Sequence, residues 1–92
     1  KMATLLKSDG TKQEIHPKNG SDFKLDELQE YVDGYIDIIK LGNGEILVIN
    51  DDGKERYPTN KAATKLALEH AAIFHWDWIA GEVGLCKNEE VQ

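Results

Sequence analysis

The sequence predicts an α+β domain: a small antiparallel sheet of four to six strands with two helices packed on it. Three observations lead there. Tyr35 to Lys54, YIDIIKLGNGEILVINDDGK, holds two runs of β-branched and aliphatic residues joined by Gly42-Asn43-Gly44, with a second tight turn at Asp52-Gly53, and such a pattern reads as a hairpin. Two further stretches, one on either side, carry apolar residues at helical spacing. The chain has 92 residues, enough for a single domain (1–92) with one core that buries about two-thirds of the unfolded surface.

Taken in order, Ala3 to Lys7 reads as a strand and Lys12 to His16 as its return. Ser8-Asp9-Gly10 forms the turn, with Gly10 free to take a positive φ. Lys1 precedes Met2, which reads as the natural start. The return strand is polar, and Lys12 and Glu14 suit an edge, where charge discourages pairing with another chain. Pro17-Lys18-Asn19-Gly20 breaks the pattern into a loop. Leu25, Leu28 and Val32 then recur as the stripe of a short amphipathic helix of about 24–33. Phe23 and Leu28 stand at the spacing of a hydrophobic staple, and Asp26 and Glu27 favour the positive end of the helix dipole. Gly34 is the expected left-handed terminator.

The hairpin strands, about 35–41 and 45–50, are apolar on both faces, so both faces are expected to be at least partly covered and the hairpin to lie at the sheet centre. Asp37 is the exception and reads most simply as pointing to a wet edge. Asn50 to Lys54 is turn chemistry, with Gly53 expected at positive φ. A calcium loop would need spaced oxygen ligands ending in a glutamate at its twelfth position, which this stretch does not supply. Glu55-Arg56-Tyr57 reads as a short strand stopped by Pro58. Thr59 or Asn60 caps a second helix from about 60 to 73, with Ala63, Leu66, Ala67, His70, Ala71 and Phe74 on one side. Trp76 to Ala80 leads into a last strand over Glu82 to Cys86, and a polar tail follows from Asn88.

At 40% hydrophobic and 30% charged residues, the composition is that of a soluble globular chain. No run approaches the roughly 18 apolar residues of a spanning helix, and the N-terminus lacks a signal-peptide apolar core; no membrane partner is expected. The single cysteine, Cys86, forbids an internal disulfide and fits a reducing cytoplasm. Seventeen acids against eleven bases give a net charge of −6, and the one arginine is Arg56. Nucleic-acid affinity comes mainly from clustered Lys and Arg, so no nucleic-acid partner is expected.

His70 and His75, with Glu69 and Asp77 near, invite a metal reading. Zinc pairs on one helix face stand four apart, and five puts these two on opposed sides. The ordinary alternative is one histidine on a helix flank and one in the loop beyond. No metal and no cofactor is expected. Cys86, mid-strand, reads as a small buried thiol, and Ser8 and Ser21 lack a nucleophile-elbow frame. Gly42-Asn43-Gly44 precedes a strand, whereas phosphate cradles precede a helix. Trp76 and Trp78 are the most informative aromatics. In an extended segment they share one face with Asp77 opposite. They either seal the core under the second helix or form a contact surface, which Tyr35 and Tyr57 could join. The candidate partner-binding set is therefore Trp76, Trp78, Tyr35, Tyr57 and Asp77.

Phe23-Lys24-Leu25-Asp26-Glu27-Leu28-Gln29, then Val32-Asp33-Gly34-Tyr35-Ile36, Asn50-Asp51-Asp52-Gly53-Lys54, Asn60 with Ala63-Thr64, and finally Asp77 and Gly81 resemble, in that order and over nearly the whole chain, domain-of-unknown-function family 3846. Asp33 stands where that family usually shows Gly, and Trp78 where an aliphatic residue is common. The resemblance implies phage or mobile-element cargo acting in the bacterial cytoplasm, and no activity comes with it. The expected function is a non-catalytic binding or interaction module for a host protein or small ligand. The alternative is a small hydrolase-like enzyme using carboxylates and a histidine, with His70 or His75 in hydrogen-bond reach of Asp77 or Glu69. An acidic decoy of nucleic acid is a third reading, weakened by lysines that interrupt the acid clusters. Small sheets often dimerise through an edge or apolar face, so a homodimer is compatible with the sequence.

Overall fold

The computed structural model describes residues 3–91, so the reading of Met2 as the start lies outside the described residues. Among them five strands form one antiparallel sheet: β1 (Ala3–Leu6), β2 (Lys12–Ile15), β3 (Ile36–Lys40), β4 (Glu45–Asn50) and β5 (Val83–Lys87), in the spatial order β2-β1-β5-β4-β3. Three helices accompany it: α1 (Leu25–Val32), the single turn α2 (Gly53–Arg56) and α3 (Lys61–Glu69). The fold is α+β.

Because side chains alternate along a strand, the sheet offers two apolar faces. On one, Leu5, Ile46, Val48 and Cys86 meet Leu28 and Val32 of α1, with Phe23 beneath. On the other, Leu6, Leu47 and Val83 meet Ala63 and Ala67 of α3. The alanines let α3 come close. No helix among the described residues is long and apolar enough to cross a membrane.

The residue at the N-terminal cap of α1 is Lys24, whose side chain cannot accept a backbone proton. Glu27 supplies the missing acceptor from inside the helix. Its carboxylate takes the Lys24 N–H at 3.0 Å and reaches back to the Lys18 N–H at 2.8 Å, the reciprocal half of a capping box. These two backbone donors, Lys24 first, hold the Glu27 carboxyl below its ordinary value. At the other end the left-handed residue is Asp33 (φ 60, ψ 47), not Gly34. Gly34 is required for a different reason: a Cβ there would lie 2.7 Å from Asn50 Nδ2. That amide donates to the carbonyls of Val32 and Asp33 at 2.9 and 3.2 Å, so buried Asn50 ties the end of α1 to the end of β4.

Several expectations are corrected. The β3–β4 hairpin is not central: β5 holds the middle, pairing with both β1 and β4, and β3 forms an edge. Both faces of β4 are covered, but Asp37, Ile38 and Lys40 of β3 are exposed. Asp37 does point to a wet edge, and its carboxylate accepts the N–H of Ile38 at 2.8 Å. Residues 53–56 form a helical turn rather than a strand, and Gly53 has no positive φ. Its lack of a side chain serves close packing, since a Cβ would lie 2.6 Å from the Ala80 carbonyl oxygen.

α3 also ends early. Asn60 caps its start by accepting the Ala63 N–H at 3.0 Å, but the last helical residue is Glu69 and Ala71 turns left-handed at φ 52. The N–H of Ala72 closes back onto the Ala67 carbonyl at 2.8 Å, while Ala72 and Ile73 fold onto the α3-side core. The C-terminal tail, read as polar, is folded onto the domain, with Val91 packed against the α1-side core. Asn88–Glu90 makes a 3-10 turn, Glu90 is buried, and its carbonyl accepts the Phe23 N–H at 2.6 Å.

Candidate functional site

Three stretches distant in sequence enclose a groove of about 560 Å³ on the α3 side of the sheet. Asp37 and Ile39 of edge strand β3 and Ile49 of β4 supply one wall. The turn from Asn50 through Glu55 closes one side, and residues 71–74 with 77–80 form the other. The lower surface is apolar, through Ile39, Ile49 and Ile73. Carboxylates dominate the charge: among the described residues Asp37, Asp51, Asp52, Glu55 and Asp77 line the groove against one cation, Lys54.

The loop after α3 is pinned rather than loose. The N–H and carbonyl of Ile79 both bond Thr64 Oγ1, at 2.9 and 3.2 Å. The Asn60 N–H donates to the Ile79 carbonyl at 2.8 Å, and Asn60 Nδ2 donates to the Gly81 and Leu6 carbonyls, each at 2.8 Å. One buried amide thus joins strand β1, the start of α3 and the end of the loop.

On this support the loop displays aromatic rings. Phe74 and Trp76 are each 66% exposed and stack with centroids 4.8 Å apart and planes 4° from parallel. His75 meets the Trp76 ring edge-on at 4.7 Å. Trp78 lies apart from that stack, with Lys54 Nζ 4.5 Å from its ring centroid. Lys54 also pairs with Asp77, whose carboxylate accepts the Trp78 N–H at 2.8 Å. Lys54 chiefly, and that N–H, hold the Asp77 carboxyl below the usual aspartate value.

Of the five residues expected to form the contact surface, Asp77 and Trp78 line the groove. Trp76 adjoins it by stacking on Phe74, which does line it. The tryptophans do not share one face of an extended segment, because the Asp77 N–H closes a turn onto the Phe74 carbonyl at 2.9 Å. Tyr35 and Tyr57 do not join them. Tyr35, 75% exposed, borders a neighbouring depression with Gln29, Gly34 and Arg56, which meets the groove at Asp51 and Asp52. Tyr57 donates its hydroxyl to Asp33, which raises the phenol's pKa, and lies beneath Arg56. Sequence reasoning missed Phe74, placed on a helix that stops five residues earlier, and Lys54, read as a turn residue.

A family model described as "Domain of unknown function (DUF3846)" matches residues 2–92. The chain belongs to that family. No curated protein and no solved structure matches it.

In this DUF3846 chain the histidines fall where the ordinary reading put them, His70 capping the end of α3 and His75 in the following loop. No hydrogen bond or ion pair joins either imidazole to Glu69 or Asp77 among the described residues. Nor do three His, Cys, Asp or Glu side chains converge there as a metal-binding set. Cys86 is buried mid-strand as expected; burial first, then the nearby Glu90 charge, pushes its thiol up to about 12. A thiol so placed is a poor nucleophile at neutral pH.

Proposed function

We propose that the protein is a non-catalytic binding module of phage or mobile-element origin, acting in the bacterial cytoplasm. Its contact surface is the groove with the Phe74–Trp78 ledge. One observation carries this reading: three large aromatic side chains stand exposed on a loop fastened by buried hydrogen bonds. Leaving that much apolar area in water is unfavourable, and aromatic residues are enriched at binding hot spots. A preformed ledge also loses little conformational entropy when a partner arrives. The free Cys86 fits a reducing compartment, and the origin follows the family resemblance.

Both tryptophans of the chain, Trp76 and Trp78, belong to this surface, so emission excited selectively from tryptophan reports on it alone. Titration against cytosolic fractions and a metabolite panel is expected to give a saturable change in emission with at least one of them. Phe74→Ala is expected to weaken that response about tenfold, the cost of one interface hot-spot residue. No saturable response to any fraction or compound, or one untouched by Phe74→Ala, would contradict the assignment.

A further inference from the structure

We propose that the groove receives an extended basic segment of a partner protein, one of whose cationic side chains displaces Lys54 from between Asp77 and Trp78. This rests on the groove being the contact surface and goes further by naming what fills it.

The lining sets the chemistry. Its apolar residues, Ile39, Ile49 and Ile73, lie below a rim of carboxylates, with Lys54 the sole cation among the described residues that line it. A neutral or acidic ligand would bury its surface against uncompensated negative charge. A segment that interleaves apolar and cationic side chains meets both requirements. Its charge also suits the chain's net −6, which steers cationic partners inward and repels nucleic acid.

The protein's own lysine shows what the seat accepts. Lys54 Nζ lies between a carboxylate and an indole face, 4.5 Å from the ring centroid, a setting that suits any ammonium or guanidinium group. Its hold is weak, because the Lys54 side chain is 47% exposed and surface pairs contribute little. It also stands on α2, a single helical turn. Arginine fits the same seat better, since its planar guanidinium stacks on the indole while bonding a carboxylate in two places. Lys54 is thus an internal competitor, and apparent affinity scales with the fraction of time that the seat is open.

The test is tryptophan fluorescence with a blocked peptide alternating arginine and leucine, and with its glutamate–leucine counterpart. The arginine peptide is expected to change the emission saturably below about 1 mM at low salt, and the glutamate peptide not at all. Lys54→Met is expected to tighten binding roughly fivefold by vacating the seat. Lys12→Met, the same charge change on β2 at the opposite sheet edge, is expected to tighten it less than about twofold through net charge alone. Asp77→Asn is expected to weaken it roughly tenfold. Urea unfolding of the Lys54 variant, expected to match wild type within about 1 kcal/mol, separates a gain at the seat from one caused by misfolding. The inference is overturned if the arginine peptide gives no saturable change, if both peptides act alike, or if Lys12→Met gains as much as Lys54→Met. Should the arginine peptide fail while a cytosolic fraction or metabolite still shifts the emission, the contact surface stands and only its proposed occupant falls.

Discussion

Asn60→Ala is expected to destabilise the protein by about 3–4 kcal/mol, the sum of a lost helix cap and two buried carbonyls deprived of a donor. The wild-type amide is fully enclosed. It accepts the Ala63 N–H and donates to the carbonyls of Leu6 and Gly81. Alanine removes all three bonds and leaves a small void behind them. For a domain of this size the loss corresponds to a fall in Tm of roughly 15–25 °C. Thermal and urea unfolding measure it. Thr59→Ala, at the exposed neighbouring position, is the control and is expected to cost less than about 0.5 kcal/mol. Asn60→Asp separates cap from donor: it keeps the acceptor for Ala63 but sets a carboxylate against two carbonyl oxygens. It is expected to be at least as damaging as alanine. A loss below about 1 kcal/mol for Asn60→Ala would show that the loop is anchored otherwise.

Gly53→Ala is the second large effect. Substitution normally helps at a helical glycine, by up to about 1 kcal/mol. Here the added Cβ would stand 2.6 Å from the Ala80 oxygen and 3.3 Å from its carbon. Both atoms are backbone, held by the Thr59–Ala80 bridge, so they cannot swing aside. The expected result is a loss of about 2 kcal/mol, typical of overpacking in a closed site. Because Gly53 and Ala80 both line the groove, the variant is also expected to widen it and to weaken any ligand's fluorescence response. Unfolding titrations and ligand titrations on the same sample check both halves. An alanine variant as stable as wild type would mean that α2 and the loop are not in contact.

Much of the fold was legible because local chemistry agreed with its place. The α1 stripe, the Asn60 cap, the Gly10 turn and the polar edge strand β2 all follow from patterns a few residues long. The centre of the sheet was not legible, since β5 carries Gly84, whose packing against Val48 leaves no side chain to announce a buried strand. The apolar β3–β4 hairpin made the stronger signal, although β3 lies at the rim. The end of α3 was hidden for a similar reason: Leu68-Glu69-His70-Ala71-Ala72 contains good helix formers. Burial of Ala72 and Ile73 against the core overrides them and drives Ala71 left-handed.

The candidate site was half visible. Trp76, Asp77 and Trp78 stand out by composition alone, since the chain has two tryptophans. Their partners did not. Phe74 was lost with the helix boundary. Lys54 lies 23 residues from the carboxylate it pairs with, a juxtaposition that only the closed fold creates. Tyr35 and Tyr57 read in sequence as residues that could join the tryptophans, yet Tyr35 borders the neighbouring depression and Asp33 engages Tyr57.

Acrylamide quenching of Trp76 in a Trp78→Phe variant tests most directly whether the aromatic ledge is both displayed and ordered. The arrangement predicts a native quenching constant somewhat below that of the urea-unfolded chain, because Phe74 covers one face of the indole, but of the same order, together with fluorescence anisotropy set by tumbling of the whole domain. A native quenching constant far below the unfolded one would put the indole inside the core. Anisotropy decaying on the time scale of a free loop would equally contradict a preformed ledge.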